Sequence, residues 1–131
     1  MKKKAGALAA NHTETETMLD SIVRGIEEKK GKNIQVFDLR STGHSVCDYF
    51  VICNAESGTQ VDAIAYSVEA EVKKTTGISP WHSEGFENKE WILVDYVDVV
   101  VHVFQTEVRD FYKLEKLWAD AIIREIPESA A

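Results

Sequence analysis

The segment from Glu84 to Trp118 constrains this chain more than any other. It reads E-G-F-E-N-K-E-W-I-L-V-D-Y-V-D-V-V-V-H-V-F and then, from Arg109, R-D-F-Y-K-L-E-K-L-W. Two apolar runs, Trp91–Asp95 and Asp98–Phe104, have the β-branched and aromatic content of strands. They meet at the corner Asp95-Tyr96-Val97-Asp98. A tight turn usually carries Gly or Asn, which tolerate left-handed backbone, whereas this corner carries large and charged side chains. Such side chains at a strand junction suit an edge that docks another molecule better than a pocket that does chemistry.

A chain of 131 residues supports one domain with its own core. Its apolar fraction of 44% and charged fraction of 28% are those of a globular protein. No apolar run is long enough to span a membrane, so no membrane contact is expected. The start, M-K-K-K-A-G-A-L-A-A, imitates an export signal, but its apolar part ends at Asn11 and is too short. Residues 1–14 are therefore expected to form a flexible tail, residues 15–126 the domain, and residues 127–131 a second tail. A cytoplasmic location fits. Cys47 and Cys53, if on one strand, lie on one face about 20 Å apart, too far to pair, and read as reduced core thiols. The net charge of −7 argues against contact of the folded domain with nucleic acid and favours a basic protein partner.

Periodicity supplies the elements. A helix fits Thr15 to Lys30, with Met18, Leu19, Ile22, Val23 and Ile26 on one stripe, a capping-box spacing at Thr13 and Glu16, and Gly31 to end it. A strand follows at Ile34–Leu39, then a loop over residues 40–44. Tyr49–Cys53 lacks polar alternation, as expected of a central strand covered on both faces. Ser57 and Gln60 open a helix through Val61, Ile64, Ala65, Val68 and Val72 that ends near Lys73, Lys74 and Gly77. A meander around Trp81–Phe86, Trp91–Asp95 and Asp98–Phe104 turns at Asn88-Lys89. A last helix spans about Arg109 to Glu125, with Phe111, Leu114, Trp118, Ala121 and Ile122 on its apolar face. The order α-β-β-α-β-β-β-α gives an α+β domain: one mixed sheet of four to five strands with helices mainly on one face.

The motifs D-Y-F-V-I (48–52), E-G (84–85), W-I-L-V-D-Y-x-D-V-V-V-H-V-F (91–104) and R-x-F-Y-x-L-E-x-L-W (109–118) occur in the order and spacing of a known family. In them the chain resembles the ribosomal silencing factors, also called iojap, over roughly residues 18–121. The resemblance implies a nucleotidyltransferase-like core without catalytic residues. It also implies binding to the large ribosomal subunit through ribosomal protein L-fourteen, which blocks joining of the small subunit and represses translation when nutrients are scarce. A homodimer of the free protein is implied as well. The docking surface carried over includes Trp91 and Tyr96, with Glu84, Asp95 and Asp98 as acidic company. The family commonly has Gly where this chain has Val97; if that position needs positive φ, the turn either differs here or is strained.

Each of these groups also has a plain structural reading. A Trp at a strand start is commonly a core or rim filler, and Asp in a turn needs no function. His102 lies on the face opposite Val101 and Val103 and reads as a core residue, since no second ligand stands at metal spacing. Arg109, Tyr112, Glu115 and Lys116 are spaced for surface pairing along a helix, and most of the motif around them reads as a buttress for the sheet. The enzymatic alternative, a metal-dependent nucleotidyltransferase using Asp48, Asp95 and Asp98, lacks the paired carboxylates on one strand that such chemistry needs. No catalytic residue, cofactor or metal is expected.

Overall fold

The computed structural model describes residues 6–43 and 47–128, with side chains from residue 14 onward. Helix α1 (Gly6–Glu28) is followed by β1 (Lys32–Asp38), β2 (Tyr49–Ala55), α2 (Gly58–Thr76), β3 (His82–Glu84), β4 (Trp91–Asp95) and β5 (Val99–Gln105). Two short helices, α3 (Thr106–Tyr112) and α4 (Leu114–Leu117), lead to a last strand, β6 (Ile122–Glu125). The strands form one mixed sheet in the order β3-β4-β5-β2-β1-β6. The β2–β5 pair is parallel, running from Tyr49↔Val99 to Ala55↔Gln105, and the other pairs are antiparallel. All seven residues of β2 are buried, as its lack of polar alternation implied.

One face of the sheet carries the main core. Leu19, Ile22 and Ile26 of α1 and Val61, Ile64 and Val68 of α2 close over Val51, Cys53, Val101 and Val103. Gly25 lets the two helices touch, because a Cβ there would sit 2.8 Å from Val68 Cα. Ser57 caps α2 by accepting from the Gln60 backbone N–H. The Gln60 side chain does not complete a capping box; it donates to Lys29 O and Lys30 O and so closes the end of α1. Lys30, at φ 62, takes the left-handed position expected of Gly31. At its other end α1 begins at Gly6, well before Thr15, because Ala7, Leu8, Ala9 and Ala10 are strong helix formers; Thr13 is mid-helix and not a cap. No helix among the described residues is long and apolar enough to cross a membrane.

The opposite face holds a second cluster of Phe37, Leu39, Phe50, Ile52, Val100 and Phe104, roofed by Leu114. Here the structure departs from the expected single helix over Arg109–Glu125. Helix α3 stops at Tyr112 because Lys113 turns left-handed at φ 52, and α4 lasts one turn. Ile122–Glu125 then pairs antiparallel with β1, so among the described residues the sheet has six strands and not four or five. The β-branched pair Ile122-Ile123 suits a strand, and β1 offers it an open edge. Of the residues assigned to an apolar helix face, Leu114 is buried and Trp118 and Ala121 partly so, while Phe111 (78% exposed) and Ile122 face solvent.

Arg109 fixes this C-terminal module. It is buried and not on a surface: Nη1 donates to Asn33 O (2.6 Å) and Asn54 Oδ1 (2.8 Å), Nη2 to Gln35 Oε1 (2.7 Å), and Nε to Glu115 Oε2 (3.2 Å). One guanidinium thereby ties α3 and α4 to β1 and β2. Arg109→Ala strands several buried acceptors and should cost about 3–5 kcal/mol. Urea denaturation checks this, and a loss under about 1 kcal/mol would mean that the network is solvent-screened.

Candidate docking surface at the β4–β5 corner

Strand β4 alternates strictly. Ile92 and Val94 enter the main core with Tyr96, while Trp91, Leu93 and Asp95 face the other side of the sheet. The expected aromatic pair is therefore not assembled. Trp91 and Tyr96 are five residues apart, an odd spacing that sends them to opposite faces. Tyr96 is 6% exposed, and its hydroxyl is buried with no hydrogen-bond partner among the described residues. Burial, reinforced by Glu69, holds the phenol above its usual range. Tyr96 is a core residue that seats the corner from behind, not a surface anchor.

Trp91 does reach the surface in part. Its Nε1 donates to His102 Nδ1 at 3.1 Å, and its ring lies 4.7 Å from Phe104 and 5.0 Å from Tyr112. His102, across from Leu93, is buried with Phe50 edge-on at 4.7 Å. An Nδ1 that accepts from Trp91 leaves the proton on Nε2, which has no hydrogen-bond partner among the described residues. Burial pushes His102 down to about 4, so it stays a neutral acceptor that orients the indole.

The acidic residues lie along the face that Trp91 shares, from Glu84 opposite the middle of β4 to Asp95 at its corner end. Glu84 stands across from Leu93 and His82 across from Asp95, which puts Glu84, Trp91 and Asp95 on one face. Glu84 Oε1 meets His82 Nε2 at 2.7 Å, and both are exposed. Gly85, at φ 97, lets β3 turn tightly there, since a Cβ would run into Trp91 O. Asp95 Oδ1 accepts from Val97 N at 2.7 Å. Asp98 is exposed at the corner, and its carbonyl accepts from Asp48 N and Tyr49 N, which ties the corner to the start of β2.

Val97 has φ 76, so of the two expectations for this position the strained one holds. Asp98 N donates to Tyr96 O at 3.0 Å, closing a three-residue turn about Val97. That turn is the rare left-handed form, and a β-branched residue in it stores about 1–3 kcal/mol.

Sequence reasoning missed the ridge beside Trp91. Phe111, Tyr112 (ring centroids 5.2 Å apart) and Leu117 project from α3 and α4 into solvent. No local signal marks the left-handed break at Lys113 that turns Phe111 outward, because the spacing of Phe111 with Leu114 and Trp118 imitates a buried helix face. Trp81, 75% exposed, was likewise read only as part of a strand. As for the metal alternative, Asp95 is committed to the turn, and among the described residues no three His, Cys, Asp or Glu side chains gather to hold an ion. Burial raises Cys47 to about 11 and Cys53 to about 12, so both thiols stay protonated.

His102 makes acid stability a test of this geometry. Its folded pKa of about 4 lies below the unfolded 6.5, so between those values only the unfolded chain binds the proton. Stability is therefore unaffected above pH 6.5 and falls as pH drops toward 4. His102→Phe should remove roughly 2–3 kcal/mol of the loss between neutral pH and pH 4.5, read from urea midpoints. Parallel pH profiles for the two proteins would contradict a buried neutral imidazole.

The family described as ribosomal silencing factor during starvation matches residues 12–131. A ribosomal silencing factor of Bacillus subtilis is 40% identical over 100 residues, 76% of this chain and 83% of that protein. One from Halalkalibacterium halodurans is 38% identical over 104 residues, 79% of this chain and 87% of that protein. The crystal structure of a Chromobacterium violaceum protein superposes with a TM-score of 0.74 at 35% identity, covering 88% of this chain and 92% of the other. On the family match and these relatives, the chain belongs to the ribosomal silencing factor family.

Proposed function

We propose that this protein represses translation by binding the large ribosomal subunit and standing in the way of the small one. The observation that carries the reading is the open aromatic and acidic surface on which Trp91 is oriented by His102 and packed against Tyr112, with Phe111 beside Tyr112 and with Glu84 and Asp95 further along the same face of the sheet. Aromatic anchors bring large contact area at low rotamer cost, and interface energy concentrates in them. Carboxylates at the rim, Asp98 among them, speed and orient association with a basic ribosomal protein, in keeping with the net charge of −7.

In this reading the partner is large-subunit ribosomal protein L-fourteen and the occasion nutrient limitation, in keeping with the family resemblance. Inhibition is steric and stoichiometric, with no bond made or broken, in the cytoplasm. The core is nucleotidyltransferase-like in plan but works as a scaffold and not as an enzyme. Tyr96 contributes by holding the corner in shape from within. The free protein forms a homodimer through the same apolar ridge, so that dimerisation and ribosome binding compete, and contact with nucleic acid is slight.

Mixing purified subunits with saturating protein and following their union by light scattering tests this reading; unchanged joining sinks it. Trp91→Ala should weaken binding to the large subunit by about 2–4 kcal/mol, a factor of roughly thirty to a thousand. Circular dichroism of the variant separates lost contact from lost fold.

A further inference from the structure

The corner residue Val97 is anomalous in two ways at once. Its backbone is left-handed at φ 76, and its aliphatic side chain is 57% exposed, outside both core clusters. Strain at such a residue persists only where the surroundings over-determine it, and it concentrates where shape is used. The surroundings here do so. Asp95 Oδ1 accepts from Val97 N, Asp98 N donates to Tyr96 O, and Tyr96 N donates to Val99 O at 2.8 Å. The Tyr96 ring is sunk in the core on one side of the bend. On the other side Asp98 O is held by Asp48 N and Tyr49 N. Among the described residues, the valine belongs to neither packed cluster that could reward its conformation.

We infer that Val97 is a specificity-determining contact, a rigid apolar knob that the strained turn presents to a shallow aliphatic hollow on the bound partner. Around the knob stand the exposed carboxylates Asp48 and Asp98. The exposed indole of Trp81 is at the same end of the sheet, its backbone N–H donating to Asp95 O at 2.8 Å. An apolar tip within an acidic rim fits a surface whose lysines and arginines surround an uncharged depression, and it fits an acidic or a uniformly polar surface poorly. The inference rests on the proposed binding to the large subunit and adds a second point of contact, on the corner itself and away from Trp91.

The test uses full-length wild type, Val97→Gly and Val97→Asn, each melted and each titrated against purified large subunits. Glycine and asparagine both tolerate the left-handed conformation, but neither carries the branched aliphatic tip. Val97→Gly should melt about 2–5 °C higher even after glycine's greater unfolded-state freedom is counted. Both variants should bind the subunit about five- to tenfold more weakly than wild type, which is unusual for a change that stabilises the fold. Wild-type affinity in the stabilised glycine variant overturns the inference. So does weakened binding by glycine alone with asparagine unaffected, since that would assign the role to turn stiffness and not to the side chain. An unchanged or lower melting temperature for Val97→Gly removes the strain on which the argument stands. If wild type itself does not bind the subunit, the proposed function fails first, and that result is separate from all of these.

Discussion

The parallel pairing of β2 with β5 is the constraint on which the rest depends. Both strands are buried nearly throughout, so each face of the sheet must be covered. A parallel pair also needs a long crossover, and α2 with β3 and β4 provides it while the intervening strands extend the sheet on the far side of β5. Helices α1 and α2 then seal one face, and the short helices α3 and α4 only partly seal the other. The candidate surface exists because that second cover is incomplete.

Two polar contacts convert the open face into a defined one. The bond from Trp91 to His102 fixes an indole that would otherwise have rotamer freedom, and it works because burial keeps the imidazole neutral. The Arg109 guanidinium holds α3 and α4 against β1 and β2, which sets where Phe111, Tyr112 and Leu117 project. Shape at the ridge and shape at the corner therefore have separate supports. The corner depends on Asp95, Tyr96 and the backbone of Asp98, none of which touches Arg109.

Much of this was legible without coordinates. The central strand at Tyr49, the capped helix from Ser57 to Gly77, the meander and the main-core stripe of α1 all follow from local periodicity and cap chemistry, and they fall within a few residues of their expected places. Strand alternation also contains the separation of Trp91 from Tyr96, since five residues put their side chains on opposite faces. The C-terminal quarter misled for a physical reason: Phe111, Leu114, Trp118 and Ile122 satisfy a helical repeat, and nothing local distinguishes that from a helix, a left-handed break and a strand.

The element types along most of the chain, the two-sided burial of β2, the acidic balance and the family can be read from the residues alone, because each is written in positions close together or in motif order. That Ile122–Glu125 joins the sheet, that Arg109 goes inward, that Tyr96 is a foundation and Phe111 a projection emerges with the fold. Those outcomes turn on which sheet edge is vacant and which buried acceptors lack a donor. Both are properties of residues some seventy to ninety positions apart, brought together only when the chain has folded.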